Sequence, residues 1–215
     1  MNDLFSELER AAGPQALAPG AALLRGFAID HAPDLLAAID GIATRAPLRH
    51  LVTPGGRTMS VATTSCGTLG WTSDEQGYRY AARDPASGEP WPAMPVPFRA
   101  LARDAAAQAG FPGFEPDACL INRYVPGARL TLHQDRNERD FSAPIVSVSL
   151  GIPAVFLLGG LKRENPAWKL QLSHGDVVVW GGPSRLRFHG VEPLARARHP
   201  LTGECRINLT FRKAG

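Results

Sequence analysis

The chain has 215 residues, 44% of them hydrophobic, which suits one domain with elaborations or at most two small ones and speaks against extended disorder. A net charge of +3 and a pI near 9.0 permit a nucleic-acid partner without demanding one. Cys66, Cys119 and Cys205 lie far apart with no CxxC pair, which argues against a disulfide scaffold or a zinc cage and for reduced thiols in a cytoplasmic protein.

The opening MNDLFSELER carries acids and no apolar core, unlike a secretory signal. Asp30 to Arg45 reads as a helix: Asp30 can cap it, Pro33 suits its first turn, and Leu35, Leu36, Ile39 and Ile42 form one face. From about His50 to Met94 come short strands and turns, with the exposed-looking aromatics Trp71, Tyr78, Tyr80 and Trp91. A second, alanine-rich helix is expected over Phe98 to Ala109, ending at Gly110.

From Asp117 the texture changes to strands separated by Gly and Pro. ACLINRYV, ARLTLHQD, PIVSVSLGI, AVFLLGG, WKLQLSHG, DVVVWGG, SRLRFHG and CRINLTFR follow in close order. Eight strands at this spacing suggest a sandwich or barrel, with a jelly roll as the natural closure. Phe141 to Leu161 has no charge and could pass for a membrane span. However, Ser147 and Ser149 alternate with Val146, Val148 and Leu150, which is the period of a strand. The fold class is therefore mainly β with flanking helices. Residues 1–114 are expected to hold the helices and a cover over the open end, and 115–215 the core, as one compact unit. No membrane association is expected.

His133 and Asp135 stand two apart at the end of a strand, so both can face one way. His189 ends another strand. Two histidines and one carboxylate can occupy one face of an octahedral ion and leave positions for a co-substrate and oxygen, the arrangement of non-haem Fe(II) oxygenases. HxD alone is weak evidence and recurs by chance. His31, His50, His174 and His199 read as ordinary hydrogen-bonded residues.

A second signal is Arg206-Ile207-Asn208-Leu209-Thr210-Phe211-Arg212. Strand parity puts Arg206, Asn208, Thr210 and Arg212 on one face and the apolar residues on the other. An exposed polar face is one reading. The other turns two guanidiniums inward to meet an anion, and a dicarboxylate is such an anion.

Together with TPGGRTMSVA, LGWTSDEQGYRY, DACLINRYVPGARLTLHQD, GGLKR and HGDVVVWGGPSRL, these residues give a chain that closely resembles the bacterial AlkB alkylation-repair dioxygenase family over nearly its whole length. The resemblance implies a double-stranded β-helix (jelly-roll) core with an N-terminal nucleotide-recognition lid. It implies Fe(II) held by His133, Asp135 and His189, with 2-oxoglutarate and O2 as co-substrates. Arg206 would grip the distal carboxylate of 2-oxoglutarate, with Asn122, Tyr124, Asn208 and Arg212 around it. Trp71 would stack on a flipped base opposite His133, while Tyr78, Tyr80 and Arg163 would contact the nucleotide or its phosphates. The implied activity is oxidative dealkylation of N-alkylated bases by a monomer acting on single-stranded or locally opened DNA, with RNA a further candidate. Two alternatives stand beside it: an oxygenase of the same superfamily acting on a protein or small molecule, and a non-catalytic jelly-roll binding module.

The sequence departs from the family at Asn137, where the bacterial enzyme has an acidic residue two positions after its metal aspartate, with Glu138 next along as another source of charge. Thr63 stands where the founding enzyme has Met. Lesion preference is therefore less determined than reaction type.

Overall fold

The computed structural model describes residues 13–215. MNDLFSELER lies outside them. The strands are β1 (Gln15–Ala18), β2 (Ala21–Leu24), β3 (Arg49–Val52), β4 (Thr58–Gly67), β5 (Gly70–Asp74), β6 (Gly77–Ala81), β7 (Ala118–Tyr124), β8 (Leu130–His133), β9 (Ile145–Gly151), β10 (Ala154–Leu158), β11 (Trp168–Leu172), β12 (Val177–Trp180), β13 (His189–Val191) and β14 (Arg206–Arg212). The helices α1 (Ala32–Arg45) and α2 (Val96–Gln108) lie between β2 and β3 and between β6 and β7.

The expected strands β7 to β14 are all present and form a jelly roll. They split into β12-β9-β14-β7 within a larger sheet and β11-β10-β13-β8 in a smaller one. Most successive strands switch sheets, which is the winding of a double-stranded β-helix. The larger sheet is extended by β1-β2 beside β12 and by β4-β3 beside β7, so residues from both halves of the chain share it.

Strand parity decides what each face does. Val146, Val148 and Leu150 of β9 and Ile207, Leu209 and Phe211 of β14 pack outward with Leu35, Ile39 and Ile42 of α1 and Phe98, Leu101 and Ala105 of α2. Phe98 and Phe211 meet edge to face at 5.8 Å, worth about 0.5–1.5 kcal/mol beyond burial. The alternate residues Ser147, Ser149, Arg206, Asn208, Thr210 and Arg212 turn into the space between the sheets and are also buried. Both faces are covered, so every residue of β9 and β14 is buried. The exposed reading of the arginine strand is thereby excluded.

Three local expectations are corrected. The α1 cap position is His31, with no side-chain cap hydrogen bond, and Pro33 occupies the first turn. Trp91 is buried, and its indole nitrogen donates to the carbonyl of Ala81 at 2.9 Å. SRLRFHG is a strand only at its end, because Gly182–Ser184 form a 3-10 turn before β13. No helix among the described residues is long and apolar enough to cross a membrane.

Candidate metal centre and substrate cleft

His133 closes β8 and His189 opens β13, and the two strands pair with these residues in direct register. The register is irregular just after His189, and there the strands approach too closely for anything but glycine. A Cβ on Gly190 would lie 2.7 Å from the carbonyl oxygen of Leu130. Asp135, just beyond β8, completes the group, and the ligand atoms of all three residues lie within 4.8 Å of one another. Asp135 carboxylate oxygens stand 3.8 Å from His133 Nε2 and 3.7 Å from His189 Nε2.

Backbone carbonyls fix both imidazoles. His133 Nδ1 donates to Thr131 at 2.8 Å, and His189 Nδ1 donates to Arg187 at 3.1 Å. The proton therefore sits on Nδ1, and both Nε2 lone pairs face the common centre, as a metal requires. Burial, reinforced by the neighbouring His133, pushes the His189 imidazole down to about 4, against the opposing pull of Asp135. It is neutral, the form that ligates. Burial works to raise the Asp135 carboxyl, but the Arg212 guanidinium and the two imidazoles overcome it and hold the group well below the usual carboxylate range. The donor set fits a divalent ion with open coordination positions.

Behind the triad, β14 pairs with β7 so that Arg206 lies opposite Tyr124 and Asn208 opposite Asn122. Arg206 is 1% exposed. Its Nη2 donates to Ser149 Oγ at 2.8 Å, and the guanidinium carbon lies 5.0 Å from the centroid of the Tyr124 ring. Its Nε and Nη1 are buried with no hydrogen-bond partner. Leaving two donors of a buried cation unpaired is costly, and a bound carboxylate would satisfy them. Asn208 is held by Ser147 Oγ (2.8 Å) and the Val148 carbonyl (3.0 Å), and it accepts from Thr210 Oγ1 (2.9 Å).

Arg212 donates from Nε and Nη2 to Asp135 Oδ2, at 3.0 and 2.7 Å. Its Nε also lies 3.3 Å from Glu138 Oε1. Glu138 is a buried hub. Tyr80 donates its phenol to Oε1 at 2.7 Å, and Arg185 Nη2 lies 3.1 Å from Oε2. Arg185, 3% exposed, also donates to the carbonyls of Asp135 and Ala143, both at 3.1 Å. It thus pins the irregular segment that carries the metal carboxylate. The sequence gives Arg185 no role: SRLRFHG alternates as a strand does, and that pattern does not say which distant carbonyls its arginine meets. The alternation of Ser147 and Ser149 marks a strand and does not show that they partner Asn208 and Arg206.

Of the expected nucleotide contacts, Trp71, Tyr78 and Tyr80 lie on the two-stranded ribbon β5-β6 and Asn137 beside it, while Arg163 lies in the loop between β10 and β11. Trp71 lies opposite Tyr80 in the ribbon's register, and its ring stacks on Tyr78 at 5.6 Å and 16°. Asn137 is exposed and donates from Nδ2 to the Tyr78 carbonyl at 3.3 Å. A cleft of about 310 Å³ is lined by Tyr78, Tyr80, Asn137, Arg139 and the C-terminus. None of the triad lines it, so it adjoins the metal centre without containing it. Arg163 is exposed, its guanidinium 5.2 Å from the centroid of the Phe188 ring.

A sequence profile of the 2OG-Fe(II) oxygenase superfamily matches residues 20–212. The chain is 58% identical over 215 residues to the Escherichia coli protein named alpha-ketoglutarate-dependent dioxygenase AlkB, covering 100% of this chain and 99% of that one. It is 36% identical over 138 residues to the mouse protein named nucleic acid dioxygenase ALKBH1, covering 64% of this chain and 33% of that one. Among solved structures, that of OsALKBH1 superposes with a TM-score of 0.80 at 31% identity, covering 93% of this chain and 99% of that one.

Proposed function

The chain belongs to the 2OG-Fe(II) oxygenase superfamily, and on that premise we propose that it removes alkyl groups from nitrogens of nucleic-acid bases by oxidation. His133, Asp135 and His189 hold Fe(II), and 2-oxoglutarate fills the space in front of β14. The observation that carries this reading is Arg206, a buried guanidinium with two unpartnered nitrogens beside a complete two-histidine, one-carboxylate group. Bidentate pairing of its fork with the distal carboxylate accounts for those donors. Asn122, Tyr124 and Asn208 line the same space. Arg212 keeps Asp135 ionised and oriented.

The bound iron, with O2 and 2-oxoglutarate, supplies the oxidation that hydroxylates the alkyl carbon as 2-oxoglutarate becomes succinate and carbon dioxide. The resulting hemiaminal releases an aldehyde and restores the base nitrogen. This chain's residues do the positioning. Trp71 stacks on the base, Tyr78 and Tyr80 border its entry, Asn137 lies at the cleft, and Arg163 meets backbone phosphate. A base must leave its stack to reach the metal, so single-stranded or locally opened DNA is the substrate of lowest cost, and RNA is open to the same chemistry. The protein acts as a monomer in the cytoplasm, where its three free cysteines stay reduced.

Turnover with Fe(II) and 2-oxoglutarate across a panel of methylated oligonucleotides, methylated peptides and small hydroxylation substrates tests the reading. Succinate and restored base from the oligonucleotides alone is the expected result. Succinate driven only by a peptide or small molecule would assign the protein to another branch of its superfamily, and no turnover anywhere would make it a binding module.

A further inference from the structure

Trp168 is a large aromatic left exposed in an unusual place. It opens β11, the edge strand of the smaller sheet. Strand parity places it with Leu170 and Leu172, which pack against and within the apolar cluster between the two sheets. Trp168 therefore belongs to the inward-facing row, yet it is 56% exposed. The cross-strand register explains this. Trp168 pairs with Leu158, Leu158 with His189, and His189 with His133, so one row crosses the sheet from the exposed indole to the metal centre. That row marks the mouth of the jelly roll, where inward-facing side chains meet solvent.

The surroundings are basic and ordered. Arg187 places its guanidinium 5.8 Å from the centroid of the Trp168 ring. It is itself fixed by hydrogen bonds to the Gly159 carbonyl (2.8 Å) and Ser184 Oγ (3.0 Å). Lys162 and Arg163 are exposed in the loop that leads into β11, with Glu164 the one acid between them and Trp168. Lys169 is neutralised by Glu192 at 2.7 Å. An exposed ring held by a fixed cation, with further cations beside it, matches what a nucleic-acid strand needs: a stacking face for a base and positive charge for its phosphates.

Building on the nucleic-acid reading above, we infer that Trp168 is a second stacking platform, which holds a base of the substrate strand flanking the target. Two strand spacings, about 10 Å, separate its backbone from that of His189. At about 3.4 Å per stacked nucleotide this reaches up to about three positions from the target, and fewer where the strand is splayed. Trp71 and Trp168 thus act on different nucleotides.

The test compares wild-type protein, Trp168→Ala and Trp168→Phe on a single-stranded heptanucleotide with a central N-methylated base, measuring KM for the oligonucleotide and for 2-oxoglutarate. Trp168→Ala should raise the oligonucleotide KM by about fivefold to a hundredfold, the range of one base–aromatic stack. Trp168→Phe should recover most of the loss, and KM for 2-oxoglutarate should not move. An unchanged oligonucleotide KM overturns the inference, as does a parallel rise in both KM values or a failure of Phe to rescue. Wild-type protein that does not turn over the heptanucleotide at all overturns the underlying substrate reading instead, and the inference falls with it.

Discussion

Replacing Arg206 by Met separates function from stability. The guanidinium is 1% exposed, donates from Nη2 to Ser149 and lies over the Tyr124 ring, while Nε and Nη1 have no hydrogen-bond partner. Met has similar reach and no charge. The substitution forfeits two charge-assisted hydrogen bonds to 2-oxoglutarate, each worth about 1.5–3 kcal/mol. Affinity should therefore fall by at least about 3 kcal/mol, on the order of a hundredfold or more. The same change removes a buried cation that the ligand-free fold satisfies poorly, and such replacements are often neutral or stabilising. Without ligand, the variant should be as stable as the wild type to within about 1 kcal/mol, or more stable. Urea unfolding with and without 2-oxoglutarate, using Mn(II) as a redox-quiet metal, reads both effects. At a hundred times its wild-type dissociation constant the ligand should stabilise the wild type by about 2.7 kcal/mol and the variant by no more than about 0.4 kcal/mol. Unchanged affinity in Arg206→Met would show that another residue grips the distal carboxylate. A large loss of ligand-free stability would show that Arg206 is a structural cation.

Three further predictions address other parts of the site. The folded His189 imidazole sits at about 4 against an ordinary 6.5, so the metal-free protein should lose stability as pH falls from 6.5 toward 4, where the unfolded chain takes a proton that the fold refuses. The loss amounts to about 3–4 kcal/mol at most, and identical pH slopes for wild type and His189→Gln in urea titrations would contradict it. Trp71→Ala should cost about 1–3 kcal/mol in oligonucleotide turnover while metal and 2-oxoglutarate binding hold, and intact turnover would remove Trp71 from the base site. Asn137→Asp should raise the preference for cationic methylated bases over neutral adducts by up to about tenfold, or 1.4 kcal/mol. If that ratio in matched single strands stays fixed while Glu138→Gln lowers it, the charge the base senses comes from the buried Glu138.

Much of the fold was legible because strand parity survives in the sequence. The serine–valine alternation of β9 and the arginine–apolar alternation of β14 record a strand with helices on one side and a polar chamber on the other. The triad was legible because two of its members lie in one HxD step. What stayed hidden depends on pairing between distant segments. Arg185 holds the Asp135 carbonyl from far along the chain, and nothing in its local pattern points there. The hairpin β1-β2 was not anticipated, because QALA and AALL lack alternation, and β2 is buried on both faces. Trp91 read as exposed because a loop aromatic carries no periodicity to say otherwise. The placement of Asp30 as a cap failed by one residue, the usual uncertainty where a helix begins before a proline.

The most direct measurement is a count of products from one reaction. A single-stranded oligonucleotide carrying one N-methylated adenine is incubated with the protein, Fe(II), O2 and 2-oxoglutarate, and succinate, formaldehyde and restored adenine are quantified together. The account predicts that restored adenine and formaldehyde appear in equal amounts, with at least as much succinate, and that all three products vanish in Asp135→Ala. Succinate without restored adenine, or repair that survives Asp135→Ala at ordinary iron concentration, would contradict it.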